Sequence, residues 1–231
     1  MEKKRALLII AAIVLSVFVV GAVLVVFLSR TASETYALPA DITSLTVDSE
    51  RGSVTISADP GAPGIDATSR WILSAPTVEI QVDGGHATVG VSCPGWAFAS
   101  CSADLEVRVP AGVELDAKTV RGALEVVGVQ GPIDAISEDG TVRVEGGPSR
   151  LTARSVTGDV QARLTAAPST LNLRSETGDV TAEIPAGTYA LDVTSTEGTA
   201  TVTGLTDREG AAHTVSASSG IGNVVVRAAP R

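Results

Sequence analysis

Short runs in which apolar and polar residues alternate occupy most of the chain after residue 40, and one phrase recurs between them. The frame apolar-x-apolar-x-Ser/Thr-x-x-Gly-x-apolar-x-apolar occurs seven times with no gap inside it. Alternation with a period of two predicts strands that turn one face inward. Each copy is therefore predicted to be a strand, a tight corner and a second strand. The copies begin at Leu45, Leu115, Ile133, Leu151, Leu171, Leu191 and Val215.

Two columns of this frame define the predicted corner. The hydroxyl column is Ser49, Thr119, Ser137, Ser155, Ser175, Ser195 and Ser219. The glycine column, three residues later, is Gly52, Gly122, Gly140, Gly158, Gly178, Gly198 and Gly222. Glycine tolerates the positive φ of a tight corner. Because the hydroxyl column shares the parity of the apolar positions, we expect it inside the fold, bonded to the backbone or to the next hydroxyl.

A strand–corner–strand copy cannot bury its own apolar face, so the copies have to pack on one another. Two folds allow this: a parallel β-solenoid with coils about 4.8 Å apart, or an antiparallel meander closed as a sandwich or barrel. Only the solenoid gives a reason for the same corner to recur in register. We therefore expect an all-β, single-domain β-solenoid of stacked 18–24-residue repeats over residues 42–228. Residues 58–114 lack the frame, and the pattern indicates an irregular part there.

The N-terminus carries a different pattern. Lys3, Lys4 and Arg5 precede an uncharged apolar run at residues 6–28, which is long enough to cross a bilayer as a helix. We favour an uncleaved signal anchor over a cleaved leader or a buried core helix. Residues 1–5 would then be a cytoplasmic tail and 29–41 a juxtamembrane linker. The remainder would be extracytoplasmic on a single-pass protein of the cell membrane.

Charge narrows the expected partners. The net charge is −9, with 17 Lys+Arg against 26 Asp+Glu, and three of the basic residues precede the apolar run. Nucleic acids and anionic lipids both reward clustered positive charge. We therefore expect neither nucleic acid nor anionic lipid as a partner of the domain, and we expect a solvated acidic surface.

The two cysteines, Cys93 and Cys101, enclose the loop "CPGWAFASC". An even count outside the membrane favours a disulfide; a metal site would need further ligands, and only His86 and His213 are available as histidines. Trp96 and Phe98 lie inside this loop in a chain with 3% aromatic residues. They are candidates for contact with a glycan or a partner protein, or for a cap over the end of the stack.

No arrangement of catalytic residues is evident. There is no G-x-S-x-G phrase, and both histidines are expected to be structural or solvent-exposed. Acidic residues near the repeat glycines could form a stripe, with Asp159 and Asp179 as weak candidates for Ca²⁺ ligands. A solvated corner edge is the favoured interpretation, and the acid–base pair of a polysaccharide-cleaving enzyme is a distant third. Arg143, Arg154, Arg163 and Arg174 are expected to form surface ion pairs or to bind an anionic glycan.

The phrase "LEVRVPAGVELDAKTVRGALEVVG" and the later "SEDGTV", "SVTGDV" and "SETGDV" resemble the bacterial DUF4097 family of adhesin-like proteins. The resemblance covers roughly residues 40–228. It implies a β-helix on the cell envelope, often tethered to the membrane, and no catalytic residues or cofactor to carry over.

The sequence thus predicts a non-enzymatic, membrane-anchored binding or scaffolding module of the bacterial cell envelope, without a cofactor. Its partner would be an envelope glycan or a membrane protein. An accessory or sensor protein of an envelope-stress system is the alternative, and a β-helix carbohydrate-active enzyme is a less favoured one.

Overall fold

The computed structural model describes residues 14–16, 28–59, 61–95 and 101–230. Within these residues the fold is all-β, as predicted, with two ten-stranded sheets that are mostly parallel. The strands are β1 (Arg30–Ala37), β2 (Ser44–Arg51), β3 (Val54–Ala58), β4 (Gly64–Trp71), β5 (Thr77–Asp83), β6 (His86–Ser92), β7 (Cys101–Val109), β8 (Glu114–Arg121), β9 (Leu124–Val127), β10 (Ile133–Asp139), β11 (Val142–Gly146), β12 (Arg150–Thr157), β13 (Val160–Leu164), β14 (Thr170–Thr177), β15 (Val180–Ile184), β16 (Thr188–Glu197), β17 (Ala200–Thr203), β18 (Thr206–Asp207), β19 (Thr214–Ile221) and β20 (Val224–Ala228).

Copies of the frame stack on one another in register. Ser137 pairs with Thr119 on one side and with Ser155 on the other. Residues at the same position of the frame are therefore direct neighbours in adjacent copies. The strand before each corner lies in one sheet and the strand after it in the other. Inward residues of both sheets, such as Leu171 and Val180 at 0% exposure, form one core. This parallel, in-register stack is solenoid-like and excludes the antiparallel meander for the copies themselves.

The order of the copies in space departs from their order in the chain. One sheet runs β1-β4-β7-β3-β9-β11-β13-β15-β20-β17, and the other runs β18-β16-β19-β14-β12-β10-β8-β2-β6-β5. The last copy, β19 and β20, therefore lies between β14–β15 and β16–β17, which leaves β16–β17 outermost. The frame does not predict this exchange, because every copy presents the same inward column to either neighbour.

The segment 58–114 is more regular than its sequence indicates. Strands β6 and β7 form an eighth strand–corner–strand unit beside β2–β3, with Val91 opposite Ser49 and Leu105 opposite Val54. Only the corner differs: five positions separate Ser49 from Val54, whereas fourteen separate Val91 from Leu105. The longer corner contains both cysteines, and it breaks the spacing by which the other copies are recognised.

The N-terminal end is extended by antiparallel strands. Strand β1 pairs with β4, β4 pairs with β7, and β5 pairs with β6. Most of the predicted linker at 29–41 is thus strand β1. Among the described residues no helix has both the length and the apolar character needed to cross a bilayer. The predicted anchor at 6–28 lies outside the described residues except for 14–16 and 28.

Candidate functional site

The hydroxyl column lies at the inner edge of the corners, and most of its members donate to a glycine carbonyl of the neighbouring copy. Ser155 Oγ donates to Gly140 O at 2.9 Å, and Ser175 Oγ donates to Gly158 O at 2.8 Å. The same bond joins Ser137 to Gly122, Ser219 to Gly178 and Ser195 to Gly222. Ser49 and Thr119 are buried without a hydrogen-bond partner for their hydroxyls. The hydroxyl column therefore forms a ladder of hydrogen bonds that joins the corners of neighbouring copies in the C-terminal part of the stack.

Glycine is required in the corner by close stacking as well as by conformation. Gly178 has φ +146°, and a Cβ added there would lie 2.3 Å from Gly158 O. The backbone of one corner thus occupies the space that a side chain of the next would need. The repeated glycine is a packing requirement and not a sign of ligand binding.

The two calcium candidates have another role in the structure. Asp159 Oδ1 accepts the backbone N–H of Asp179 at 2.9 Å, and Asp179 Oδ1 accepts the N–H of Asn223 at 2.7 Å. Asn223 Oδ1 continues the series by accepting the N–H of Thr199 at 3.1 Å. Across the described residues no three His, Cys, Asp or Glu side chains gather as a metal site would require. These side chains cap the corner of the next copy.

The arginines of the middle copies form ion pairs on the outer faces. Arg163 reaches Glu145 at 3.3 Å and Glu183 at 3.2 Å, and Arg143 reaches Glu145 at 3.9 Å. The hydrogen bond from Arg227, strengthened by the charges of Arg227 and Arg163, lowers the pKa of Glu183 below its usual range. Arg154 pairs with Glu176 across the other sheet. Arg174 borders an open cavity of about 410 Å³ at the corner, together with Thr194 and Thr196.

The disulfide is confirmed: Cys93 and Cys101 are bonded, with Cα atoms 6.0 Å apart. It closes the long corner between β6 and β7. Trp96 and Phe98, the proposed contact residues, lie outside the described residues.

Each histidine ring contacts a residue of a neighbouring copy. His213 Nδ1 donates to Pro168 O at 2.8 Å, and its ring centroid lies 6.0 Å from that of Tyr189. Since a carbonyl only accepts, the proton is on Nδ1, and His213 fastens β19 to the neighbouring copy. His86 Nδ1 lies 2.7 Å from Ser44 Oγ in an exposed row between adjacent strands. Glu114 continues this row on the other side of Ser44.

The feature that the sequence did not reveal is the open C-terminal end of the stack. Among the described strands, β17 pairs only with β20, and β16 pairs with β19 and, at Thr188–Tyr189, with the short β18. No described strand lies beyond residues 190–197 of β16 and 200–203 of β17. We call these residues the C-terminal edge. Val202 is 42% exposed, whereas Val226, its register partner one copy inward, is fully buried.

The backbone of this edge is available for pairing. Val224 N donates to Thr199 O at 2.8 Å. Because successive residues of a strand direct their backbone groups to opposite sides, Ala200 and Val202 present N–H and C=O away from β20. The side chains of β17 are Ala, Thr, Val and Thr, so the strand carries no charge. Natural edge strands usually carry charge, proline or a bulge that prevents such pairing.

An open cavity of about 360 Å³ adjoins β16 at the same end. Leu191 and Val215 contribute to its lining, with Asp192, Asp207 and Glu209 among the other lining residues. Asp207 Oδ1 accepts the N–H of Leu191 at 3.1 Å, which covers one backbone group of β16. The C-terminal edge therefore combines free strand backbone, exposed apolar side chains and an acidic border.

These features define an all-β protein of stacked parallel repeats in which the N-terminal edge strands β1 and β5 carry charged residues and the C-terminal edge strand β17 carries none. The chain belongs to the Toastrack DUF4097 family, whose sequence profile matches residues 35–229. The resemblance seen in the repeat phrases is thereby confirmed.

Several solved structures are similar to this chain, among them the following two crystal structures. One is of a candidate cell adhesion protein from Clostridium sporogenes, with a TM-score of 0.53 and 11% identity over 86% of this chain and 100% of that one. The other is of a candidate adhesin from Bacteroides fragilis, with a TM-score of 0.50 and 11% identity over 86% of this chain and 97% of that one. At this identity the likeness shows the fold alone. No curated protein matches the chain.

Proposed function

We propose that this protein is a membrane-anchored, extracytoplasmic β-solenoid that acts as a non-enzymatic, adhesin-like binding or scaffolding module of the bacterial cell envelope. Its partner is an extended segment of another envelope protein, which adds as a strand to the C-terminal edge. The observation that carries this proposal is the outer edge of β16 and β17, which no described strand pairs beyond the two residues of β18, with half-exposed apolar residues along it.

Strand addition is favoured by the chemistry of the edge. Unpaired backbone groups are satisfied in register by another strand, and the exposed inward side chains give such a strand apolar surface to cover. The acidic border formed by Asp192, Asp207 and Glu209 favours a neutral or basic segment. A second copy of this acidic chain would bring the same carboxylates to the contact, so we propose a different protein.

The rest of the proposal relies on the sequence and on the relatives. The apolar run at 6–28 with its basic flank supports a single-pass anchor with the domain outside. Both solved relatives are named as adhesion candidates, which agrees with a binding role. The loop with Trp96 and Phe98 remains a predicted glycan contact, and the envelope-stress and carbohydrate-active alternatives remain predictions.

Photo-crosslinking in living cells tests the proposal. A photoreactive residue at Thr201 of the full chain is expected to crosslink to another envelope protein, and Val202→Lys is expected to abolish the adduct by placing a charge on the edge. Thr181 is the matched control, because it occupies the same outward column two copies inward. Val127→Lys is the control substitution, since it places the same charge on an exposed valine of an inner strand.

The outcomes separate the occupants. An adduct with a different protein at Thr201 and none at Thr181 supports the proposal. An adduct of twice the mass of this chain identifies a second copy and overturns the proposed partner. Equal crosslinking at Thr201 and Thr181, or none at either position, overturns the C-terminal edge as the binding surface.

A further inference from the structure

The place where the described domain follows the predicted anchor carries a second apolar feature. Strand β1 begins at Arg30, two residues after the apolar run ends at Leu28. Arg30 pairs with Trp71, the last residue of β4. Strand β4 thus returns to the level at which the chain leaves the predicted membrane segment. Ile72 and Leu73 continue beyond it.

This end of β4 projects past the corners of the stack. Trp71 pairs with Cys101, which precedes Leu105 by four residues, and Leu105 is level with Val54 at the start of β3. Four strand residues span about 13 Å, so the tip reaches that far beyond the first corner. We call residues Trp71–Leu73 the β4 tip. The disulfide lies at the same end, because Cys101 begins β7.

The composition of the β4 tip is unusual for an exposed position. Leu73 is 68% exposed, the highest value among the exposed large apolar residues described, and Leu28 nearby is 44% exposed. Trp71 and Ile72 are half-buried. Tryptophan and apolar side chains of this kind concentrate where a protein meets the bilayer surface.

The charge of the same region differs from that of the whole molecule. The chain carries a net charge of −9, but Arg30 and Arg70 lie beside Trp71, and the nearby Asp104 is paired with Arg70 at 3.0 Å. These arginines reduce the repulsion that an acidic domain would experience at anionic lipid headgroups.

We propose that the β4 tip inserts into the headgroup region of the bilayer that the anchor crosses, as a second membrane contact beside the helix. The proposal rests on the proposed anchoring of residues 6–28. The contact would fix the orientation of the domain relative to the bilayer. Neither the anchor nor an adhesin-like role by itself requires it.

Tryptophan fluorescence of the full chain tests this contact directly. The chain has two tryptophans, so Trp96→Phe leaves Trp71 as the single reporter. The protein is placed in nanodiscs of phosphatidylcholine and phosphatidylglycerol, with or without bromine on the lipid acyl chains. Brominated lipid is expected to reduce Trp71 emission by about half, because the ring lies at the depth of the interface. Leu73→Asp is expected to weaken this quenching.

A distant reporter provides the matched control. In a chain with both native tryptophans changed to Phe, Ile221→Trp places the ring at an exposed position of β19, toward the other end of the stack. Brominated lipid is expected to leave its emission unchanged while aqueous iodide quenches it. Circular dichroism of every variant checks that the strands are retained.

Two failures are distinguishable. If the chain is held by the nanodiscs but Trp71 responds to iodide as the Ile221→Trp site does and ignores brominated lipid, the β4 tip does not contact the membrane. If the chain does not enter nanodiscs and is extracted from membranes at alkaline pH, the anchor itself is wrong. The proposed membrane contact of the β4 tip is then contradicted as well.

Discussion

The two ends of the stack solve the same physical problem in different ways. At the N-terminal end, antiparallel strands β1, β4 and β5 extend both sheets, and the Cys93–Cys101 disulfide closes the longest corner. At the C-terminal end the copy β16–β17 is outermost, and in the part of the chain that the structure describes only the two-residue β18 and the Asp207 carboxylate pair with its edge. Repeat proteins need polar caps to end a continuous core. The edge strands β1 and β5 at the N-terminal end carry charged residues, whereas β17 carries none. An uncharged edge strand can pair with another polypeptide, and this difference leads to our functional proposal.

The largest expected effect is on the unfolding free energy, and it comes from comparing register partners in adjacent copies, Val226 and Val202. Val226→Asp places a charge in the core, because Val226 is fully buried, and it is expected to cost more than about 4 kcal/mol of unfolding free energy. Val202→Asp, its register partner at the open end, is expected to cost less than about 1 kcal/mol because water reaches the side chain. Urea unfolding measures both. Comparable losses would mean that the C-terminal edge is covered in the isolated protein.

The second comparison concerns the corner glycines. Gly178→Ala is expected to lower the unfolding free energy by about 3 kcal/mol, because its Cβ would collide with Gly158 O in the neighbouring copy. Gly210 also has positive φ, at +74°, but no atom lies within 4 Å of an added Cβ. Gly210→Ala is therefore expected to cost only about 1 kcal/mol from backbone strain. If thermal unfolding shows equal costs, then conformation and not stacking selects glycine at the corners.

Substitutions in the hydroxyl column are expected to change the unfolding free energy less. The sign should differ between the bonded Ser175 and the unbonded Thr119. Ser175→Ala removes a bonded hydroxyl and is expected to cost about 1 kcal/mol. Thr119→Val removes a buried hydroxyl that has no partner, and it is expected to raise stability by about 1 kcal/mol. Chemical denaturation checks the signs. A loss of stability in Thr119→Val would show that this hydroxyl does have a partner in solution, such as a bound water.

Much of this architecture could be predicted from the sequence, for a local reason. The Ser-x-x-Gly frame encodes which residues face inward, and Ser155 and Val180 lie where it places them. The frame does not encode which copies become neighbours, because each presents the same inward column. The outermost position of β16–β17, and with it the open edge, therefore had no local signal. The β6–β7 unit was hidden for a different reason, since its long corner interrupts the frame.

The role of Asp179 could not be predicted for the same reason, because it depends on which copy becomes its neighbour. An aspartate beside a corner glycine could bind an ion or cap a neighbouring corner, and both roles need the same residue in the same place. In the structure Asp179 Oδ1 accepts the backbone N–H of Asn223, and Asn223 is adjacent because the last copy is inserted out of chain order. A signal was present in the sequence: the column continues with Asn223 and Thr199, which suit backbone capping better than calcium binding.

The smallest expected effect is a difference in how stability depends on pH. It compares one carboxylate on the outer face of each sheet, Asp134 and Glu183. Partial burial, with the neighbouring charge of Asp116, raises the pKa of Asp134 above its usual 3.8. The ionised carboxylate is therefore unfavourable in the folded state above its folded pKa, and stability is regained as the pH falls through that pKa toward the ordinary value. Asp134→Asn is expected to raise stability at pH 7 and to lose this advantage near pH 4.

Glu183 behaves in the opposite sense. Its pKa lies below the usual 4.5, chiefly because of the hydrogen bond from Arg227, so its contribution is present above that value and is lost as the pH falls through the folded pKa. Glu183→Gln is expected to lower stability at pH 7 and to become neutral in acid. Each change should remain below about 1 kcal/mol, because both carboxylates lie on outer faces. Urea unfolding from pH 3 to pH 7 measures the two curves, and slopes of the same sign would contradict the assignment of opposite surroundings to these carboxylates.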